Sequence, residues 1–318
     1  MEGKGRVFVG LPRPAVLLSI VAGSFGCAPI ALAGPDCQPT VSAIALPPEL
    51  EESSGIAIGL RDEGVLWTHN DDGSVLFAID SEGMIRASIH IRPRLQDWED
   101  IESAPCEAHG TCLYLADTGD NAERRPDGHA RLMRIAEPAS PPVGGPRRLG
   151  DVEGEVFPIR LPQGARDIEA LFVLPGERIF LVSKGRNDPI TVYRYPGALR
   201  PDTVTVEEVQ RLSADAAPLG DQVTGASTMP GGEVVSIRTY QSLEFFRVDG
   251  DTLAHIDGGL VNLRTLREAQ GEAVALGRDG LVILTSEAGP FGGSPSMSVM
   301  HCSVAEGLSP PQPPGAAP

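Results

Sequence analysis

One pattern recurs five times along this chain, and it restricts the folds open to it. A small or acidic residue leads into a short apolar strand, a turn bearing Gly follows, and a second strand ends in polar residues. The copies are Ser54-Gly55-Ile56-Ala57 with 65–70, Glu99-Asp100-Ile101-Glu102 with 113–117, Glu169-Ala170-Leu171-Phe172 with 179–184, Thr224-Gly225-Ala226-Ser227 with 234–238, and Glu272-Ala273-Val274-Ala275 with 281–287. Their starts lie 45, 70, 55 and 48 residues apart. Such an interval holds one small antiparallel sheet per copy, and sheets repeated radially make a β-propeller.

Alternation of apolar and polar residues, cut by Gly, Pro and Asp turns, divides each copy into four strands. In the first they are 55–59, 65–70, 75–80 and 85–91, with Asp71-Asp72-Gly73 as a tight turn that needs positive φ at Gly73. The fifth copy shows only three strands, and Thr40-Val41-Ser42-Ala43-Ile44-Ala45-Leu46 supplies the fourth. The expected fold is all-β, a propeller of five four-stranded blades closed by an N-terminal strand in the last blade. A six-bladed ring is the alternative, with the extra blade drawn from the 70-residue interval or from 257–270. The Pro/Gly-rich stretch 138–150 reads as a loop of the second blade, and only 206–211 and 263–268 look helical.

The N-terminus carries Lys4, Arg6 and Arg13, then the apolar run Ala15-Val16-Leu17-Leu18-Ser19-Ile20-Val21-Ala22, and ends in Ala31-Leu32-Ala33. A basic region, a short apolar core and small residues before a cleavage point make a secretory signal over 1–33, too short to span a membrane. Export to the periplasm or the extracellular space is expected. Cys27 offers a lipoprotein signal as the lesser alternative, since the usual Leu three residues earlier is lacking. The propeller domain then covers 34–305, and the Pro-rich 306–318 reads as a disordered tail. Removal of 1–33 takes three basic groups and one acid from a formal net charge of −17 and leaves −19. That excess argues against nucleic acid or an anionic membrane as partner and is compatible with bound Ca²⁺. A small polar ligand or another protein remains as the expected partner, with the chain itself a monomer.

Four cysteines remain after such cleavage, an even number for an oxidising compartment. Cys106 and Cys112 flank the connection between the first two strands of the second blade, which suits a local staple. Cys37 precedes the N-terminal strand and Cys302 lies in the final one, so ring closure would pair them.

At Leu66-Trp67-Thr68-His69-Asn70-Asp71-Asp72-Gly73, Asp97-Trp98-Glu99-Asp100-Ile101, Leu115-Ala116-Asp117-Thr118-Gly119-Asp120-Asn121 and Gly271-Glu272-Ala273-Val274-Ala275, the chain resembles a group of exported bacterial β-propeller proteins. They are loosely grouped with the TolB-like, NHL and esterase-like phytase propellers, and the resemblance runs from about residue 50 to 303. It implies the fold. It carries no substrate, because propellers host lactonases, esterases, lyases, sugar dehydrogenases and plain binding scaffolds.

In a propeller the innermost strands line a central channel. The leading residues of the repeat fall there, so Glu99, Asp100, Glu169 and Glu272 are candidate ligands for a divalent cation such as Ca²⁺. His69, Asn70, Asp117, Asp167, Lys184, Thr224, Arg238 and Glu287 are candidate ligand-binding residues on the same rim. Converging carboxylates repel unless a cation, protons or basic side chains intervene. The acids equally suit a structural role, bonding the backbone amides of the next blade. Asp117-Thr118-Gly119-Asp120-Asn121 suits either a hard cation or a metal-free Asx turn. No G-x-S-x-G, P-loop, G-x-G-x-x-G, H-E-x-x-H or CxxC occurs, so the commoner hydrolase, nucleotide and zinc signatures are missing. The leading expectation is an exported propeller that binds a polar ligand at the channel mouth, with a divalent cation. The rival is a Ca²⁺-dependent hydrolase of the lactonase, esterase or phosphoesterase kind, with His69, Glu99 or Glu272 handling protons. A protein-interaction scaffold is the third.

Overall fold

The computed structural model describes residues 36–139 and 146–304. The expected signal segment and the Pro-rich tail lie outside the described residues. Five sheets, antiparallel but for two edge strands, surround one axis. From the axis outward, blade 1 holds Ser53–Ile58, Leu66–Asn70, Val75–Ile79 and Ile85–Arg92, and blade 2 holds Asp100–Cys106, Gly110–Asp117, His129–Ala136 and Glu155–Arg160. Blade 3 holds Ile168–Leu174, Arg178–Ser183, Pro189–Arg194 and Glu207–Ala216. Blade 4 holds Val223–Thr228, Val234–Thr239, Ser242–Asp249 and Thr252–Asn262. Blade 5 takes Gln270–Leu276, Leu281–Glu287 and Ser296–Cys302 from the C-terminal end and Cys37–Ala45 from the N-terminal end. The ring thus closes as expected, with Cys37 opposite Cys302 in the pairing register and joined to it as a disulfide. Cys106 and Cys112 form the second bond, across the first hairpin of blade 2. Two disulfides fit an exported chain. No helix among the described residues is long and apolar enough to cross a membrane.

Three expectations need correction. The stretch 138–150 read as a loop of blade 2 runs into a strand, Arg147–Glu153, that returns to blade 1 and pairs in parallel with its outer edge. Val204–Thr205 likewise covers the edge of blade 2. Both cap a row of unpaired backbone groups that would otherwise invite another chain. Residues 206–211, read as helical, fall largely in the outer strand of blade 3, and around 263–268 there is only the single 3₁₀ turn Arg264–Leu266. The six-bladed alternative fails for the same reasons. The long second interval contributes the edge strand Arg147–Glu153, and 257–262 continues the outer strand of blade 4.

The core is divided among the five blade interfaces, because each sheet buries both faces between its neighbours. Trp67 and Leu76 of blade 1 pack with Leu113 and Met133 of blade 2, and Tyr114 of blade 2 with Leu171 and Tyr193 of blade 3. Phe172 and Phe180 stack at 4.8 Å and meet Phe246 of blade 4. Phe245 packs on Val282 and Leu284 of blade 5, and Met297 on Ile56 and Ile79 of blade 1. Two-sided burial accounts for the near-continuous apolar runs such as Ile168–Leu174, every residue of which is buried.

Candidate functional site

The repeat begins where it does because each inner strand bulges there. In blades 1, 3, 4 and 5 the pairing register slips at Ser54, Glu169, Thr224 and Glu272 with Ala273. In blade 2, Asp100 is paired with Ala116 while the Glu99 N–H also donates to the Ala116 carbonyl, at 2.9 Å. A bulge sets two residues against one and re-aims a side chain. Ser54, Glu99, Glu169, Thr224 and Glu272 therefore occupy equivalent positions at one level of the ring, and all are buried. The two hydroxyls lock neighbouring blades: Ser54 donates to the Glu99 carbonyl at 2.9 Å, and Thr224 to the Glu272 carbonyl at 2.8 Å. The three acids have no such duty.

Carboxylate oxygens of Glu99, Asp167 and Glu169 lie within 4.8 Å of one another. Lys184 Nζ is 2.6 Å from Glu169 and 3.9 Å from Asp167, and Arg186 is 3.6 Å from Asp167. Asp167 also accepts the Asp120 N–H at 2.9 Å. Among the described residues no ion pair reaches Glu99. Nearby, Gln270 donates to Glu272 at 2.6 Å and to Glu287 at 2.8 Å, while Lys184 Nζ stands 5.8 Å from the Tyr240 ring centre.

The crowding shows in the proton affinities. Burial, then the charges of Glu169 and Asp97, hold the Glu99 carboxyl well above the usual range. Burial also raises Glu169 to about 8, against the pull of Lys184. Glu272 is raised well above its usual value by burial, Glu287 and Glu169. Glu287 itself is pushed up to about 7 by burial and by Asp71 and Glu52. Burial pulls Lys184 down, but Glu169, Tyr240 and Asp167 outweigh it and secure its charge. The mouth thus gathers oxygen donors in excess of its one buried ammonium. Such a set suits a hard cation or ligand donors.

Several predicted site residues lie elsewhere. Asp100 stands outside the cluster of Glu99, Asp167 and Glu169: its carboxylate accepts the N–H groups of Ile101 at 2.9 Å, Leu171 at 2.8 Å and Ala226 at 3.1 Å. It ties the inner strands of three blades below the mouth. His69 does not face the channel. It is fully buried, stacks on Trp98 at 4.0 Å, and abuts Gly55, where a Cβ would stand 2.3 Å from its Nε2. Burial lowers its pKa to about 4, so it stays neutral, with Nδ1 donating to the Asn70 carbonyl at 3.0 Å. Arg238, in the equivalent position of blade 4, bonds the carbonyls of Ala273 at 2.7 Å and Thr285 at 3.0 Å and pairs with Glu268. Asn70 donates to the Glu49 carbonyl at 2.9 Å. Asp117 accepts the N–H groups of Gln96 and Asp97 and pairs with Arg125 and Arg131, and Asp120 accepts the N–H groups of Arg124 and Arg125, so side chains brace this loop without the i to i+2 bond of an Asx turn among the described residues. These offsets share a cause. Successive side chains of a strand face opposite ways, so a one-residue error in phase moves a residue from rim to blade interface.

Tyr240, Gln270 and Asp97 belong to the mouth and escaped the sequence reading. A signal existed for Tyr240: Asp71, Lys184 and Tyr240 each follow a second strand and donate their N–H to the carbonyl of Glu52, Asp167 and Gln222. In blade 2 that bond comes from Gly119, where a Cβ would lie 1.9 Å from Glu99 Oε1. The glycine makes room for the acid.

Fold and site together define a five-bladed β-propeller with a buried acidic channel mouth. No protein-family model and no curated protein matches the sequence. Among solved structures it is similar to the PQQ-bound form of an aldose sugar dehydrogenase from Streptomyces coelicolor, at 12% identity over 85% of this chain and 99% of that chain, with a TM-score of 0.48. It is also similar to a gluconolactonase from Xanthomonas campestris, at 12% identity over 85% of this chain and 97% of that one, TM-score 0.43. A streptogramin B lyase matches at 10% identity over 84% and 98% of the two chains, TM-score 0.41. These are β-propeller proteins, and the likeness is one of fold.

Proposed function

We propose that this chain is an exported propeller of the TolB-like, NHL and phytase kind that binds a polar ligand at its channel mouth together with a divalent cation. The observation that carries the reading is the approach of Glu99, Asp167 and Glu169 within 4.8 Å, three buried carboxylates beside one buried lysine. A donor set made only of oxygen suits Ca²⁺. Lys184, Tyr240, Glu272 and Glu287 frame the space in which a polar ligand would meet that cation. Calorimetric titration of Ca²⁺ into the chelator-treated mature protein tests this, with melting curves beside it. Binding and a rise in melting temperature are expected in the native chain, and Glu169→Gln should remove both. No heat of binding and identical melts in Ca²⁺, Mg²⁺ and EDTA would overturn the reading.

One observation favours a hydrolase as second reading. Glu287, at about 7, is poised to exchange protons near neutral pH beside the same acids. A cation there would polarise a carbonyl or phosphoryl oxygen. Screening lactones and phosphoesters decides this: cation-dependent turnover that Glu287→Gln abolishes supports it, and no turnover removes it.

A further inference from the structure

The other end of the channel holds a cavity of about 960 Å³, the size of a small-molecule site. Its walls are the lower ends of the inner strands, and Ala57, Ile58, Val173, Leu174, Met229 and Leu276 make them largely apolar. Asp100, fully buried and bonded to the backbones of blades 3 and 4, stands between this cavity and the acidic mouth. Two residues further down the same strand, Glu102 faces the cavity with 5% of its surface exposed.

Glu102 is half satisfied. One carboxyl oxygen accepts the Thr228 N–H at 3.2 Å, and the other is buried with no hydrogen-bond partner. The Thr228 hydroxyl, on blade 4 across the channel and 7% exposed, is unpartnered as well. The other hydroxyls of the wall are engaged: Ser103 donates to the Ile58 carbonyl, and Ser227 accepts the Leu276 N–H at 2.9 Å and turns its own O–H to the Glu102 carboxyl. Buried polar atoms without partners are rare because each forfeits its bonds to water. Here a pair of them, linked through the Thr228 N–H, sits in residues that border an apolar space large enough for a guest.

We infer that this lower cavity is a second ligand site, taking an apolar small molecule tipped by a hydroxyl group. The apolar walls would hold the body, and the hydroxyl would bond Glu102 and Thr228 together. Chemistry selects the hydroxyl. Burial, then the neighbouring Asp100, raises the Glu102 carboxyl well above its usual range, which favours its protonated form. A protonated carboxyl and a threonine hydroxyl each can donate or accept. An ether only accepts and an ammonium would bring an unpaired charge into an apolar space, whereas an uncharged alcohol both donates and accepts.

The test displaces the neutral fluorophore N-phenyl-1-naphthylamine from the mature protein with 1-octanol, octylammonium or methyl octyl ether. The alcohol should compete at least about tenfold better than the other two, the worth of one hydrogen bond between matched groups. Glu102→Leu and Thr228→Val should each weaken the alcohol about tenfold and leave the ether unchanged. Thr228→Val removes a hydroxyl with no partner in the fold, so its melting temperature should hold or rise while alcohol binding falls. Failure of the fluorophore to bind, equal competition by the three probes, or alcohol binding indifferent to both variants would each overturn the inference.

Discussion

Glu99→Gln isolates the electrostatic load at the channel mouth. The oxygens of Glu99, Asp167 and Glu169 come within 4.8 Å. Two unit charges at that distance repel by about 3.5 kcal/mol at an effective dielectric constant of about 20. Lys184 beside Glu169 and Arg186 beside Asp167 offset two of the three charges, so the charge of Glu99 is left in excess when all are ionised. The direction with pH follows from the raised carboxyls. Glu169 at about 8 and Glu287 at about 7 hold protons in the folded state that the unfolded chain has released. Their protonation therefore favours the fold fully below the ordinary carboxyl range, and the benefit is lost as pH rises through 7 and 8. Urea unfolding in EDTA at pH 5.5 and 8.5 should show the native chain weaker at the higher pH. Glu99→Gln should add about 3 kcal/mol at pH 8.5, flatten the slope, and change little at pH 5.5. Ca²⁺ at a hundred times its Kd should supply about 2.7 kcal/mol to the native chain at pH 8.5. A native stability that rises between the two values, or a Glu99→Gln variant weaker than its parent at pH 8.5, would refute the reasoning.

Asp100→Ala should cost about 3 kcal/mol or more in chemical denaturation, since it strips the N–H groups of Leu171 and Ala226 of their acceptor, while Asp100→Asn, which keeps an oxygen, should cost less. Both bonds of the disulfide pair can be weighed by double Cys→Ala variants. The Cys37–Cys302 bond spans 265 residues and the Cys106–Cys112 bond 6, so loop entropy sets upper values of about 5.6 and about 2.2 kcal/mol. Melting curves should show the greater loss for the variant lacking Cys37 and Cys302; the reverse order would show that ring closure rests on strand pairing alone.

Much of the architecture was legible because it is local. The five-fold echo marks a bulge that recurs in every inner strand, and a bulge announces itself by a polar or small residue at the head of an apolar run. The missing fourth strand of the last copy, with cysteines at 37 and 302, pointed to the closure that the paired strands show. The acids at 99, 169 and 272 were legible as channel residues for the same reason. His69 and Arg238 were not separable from the rim, since both stand near the ends of second strands as Glu287 does. Their true neighbours, Trp98 for one and Glu268 for the other, are set by packing between blades.

What the sequence determined by itself is therefore the periodic part: sheet type, blade number, closure and the ring position of each repeat. The tertiary structure alone decided which acids meet. Asp100 and Glu99 are chain neighbours of the same chemistry, yet one side chain ties the backbones of blades 3 and 4 while the other faces Asp167 and Glu169. Strand geometry sends adjacent side chains opposite ways, and the bulge decides which of the two turns to the mouth. Convergence of blades 2, 3 and 5 on one axis then raises the proton affinity of Glu99, Glu169 and Glu272 together, because each is buried beside charges distant in the chain and near in space.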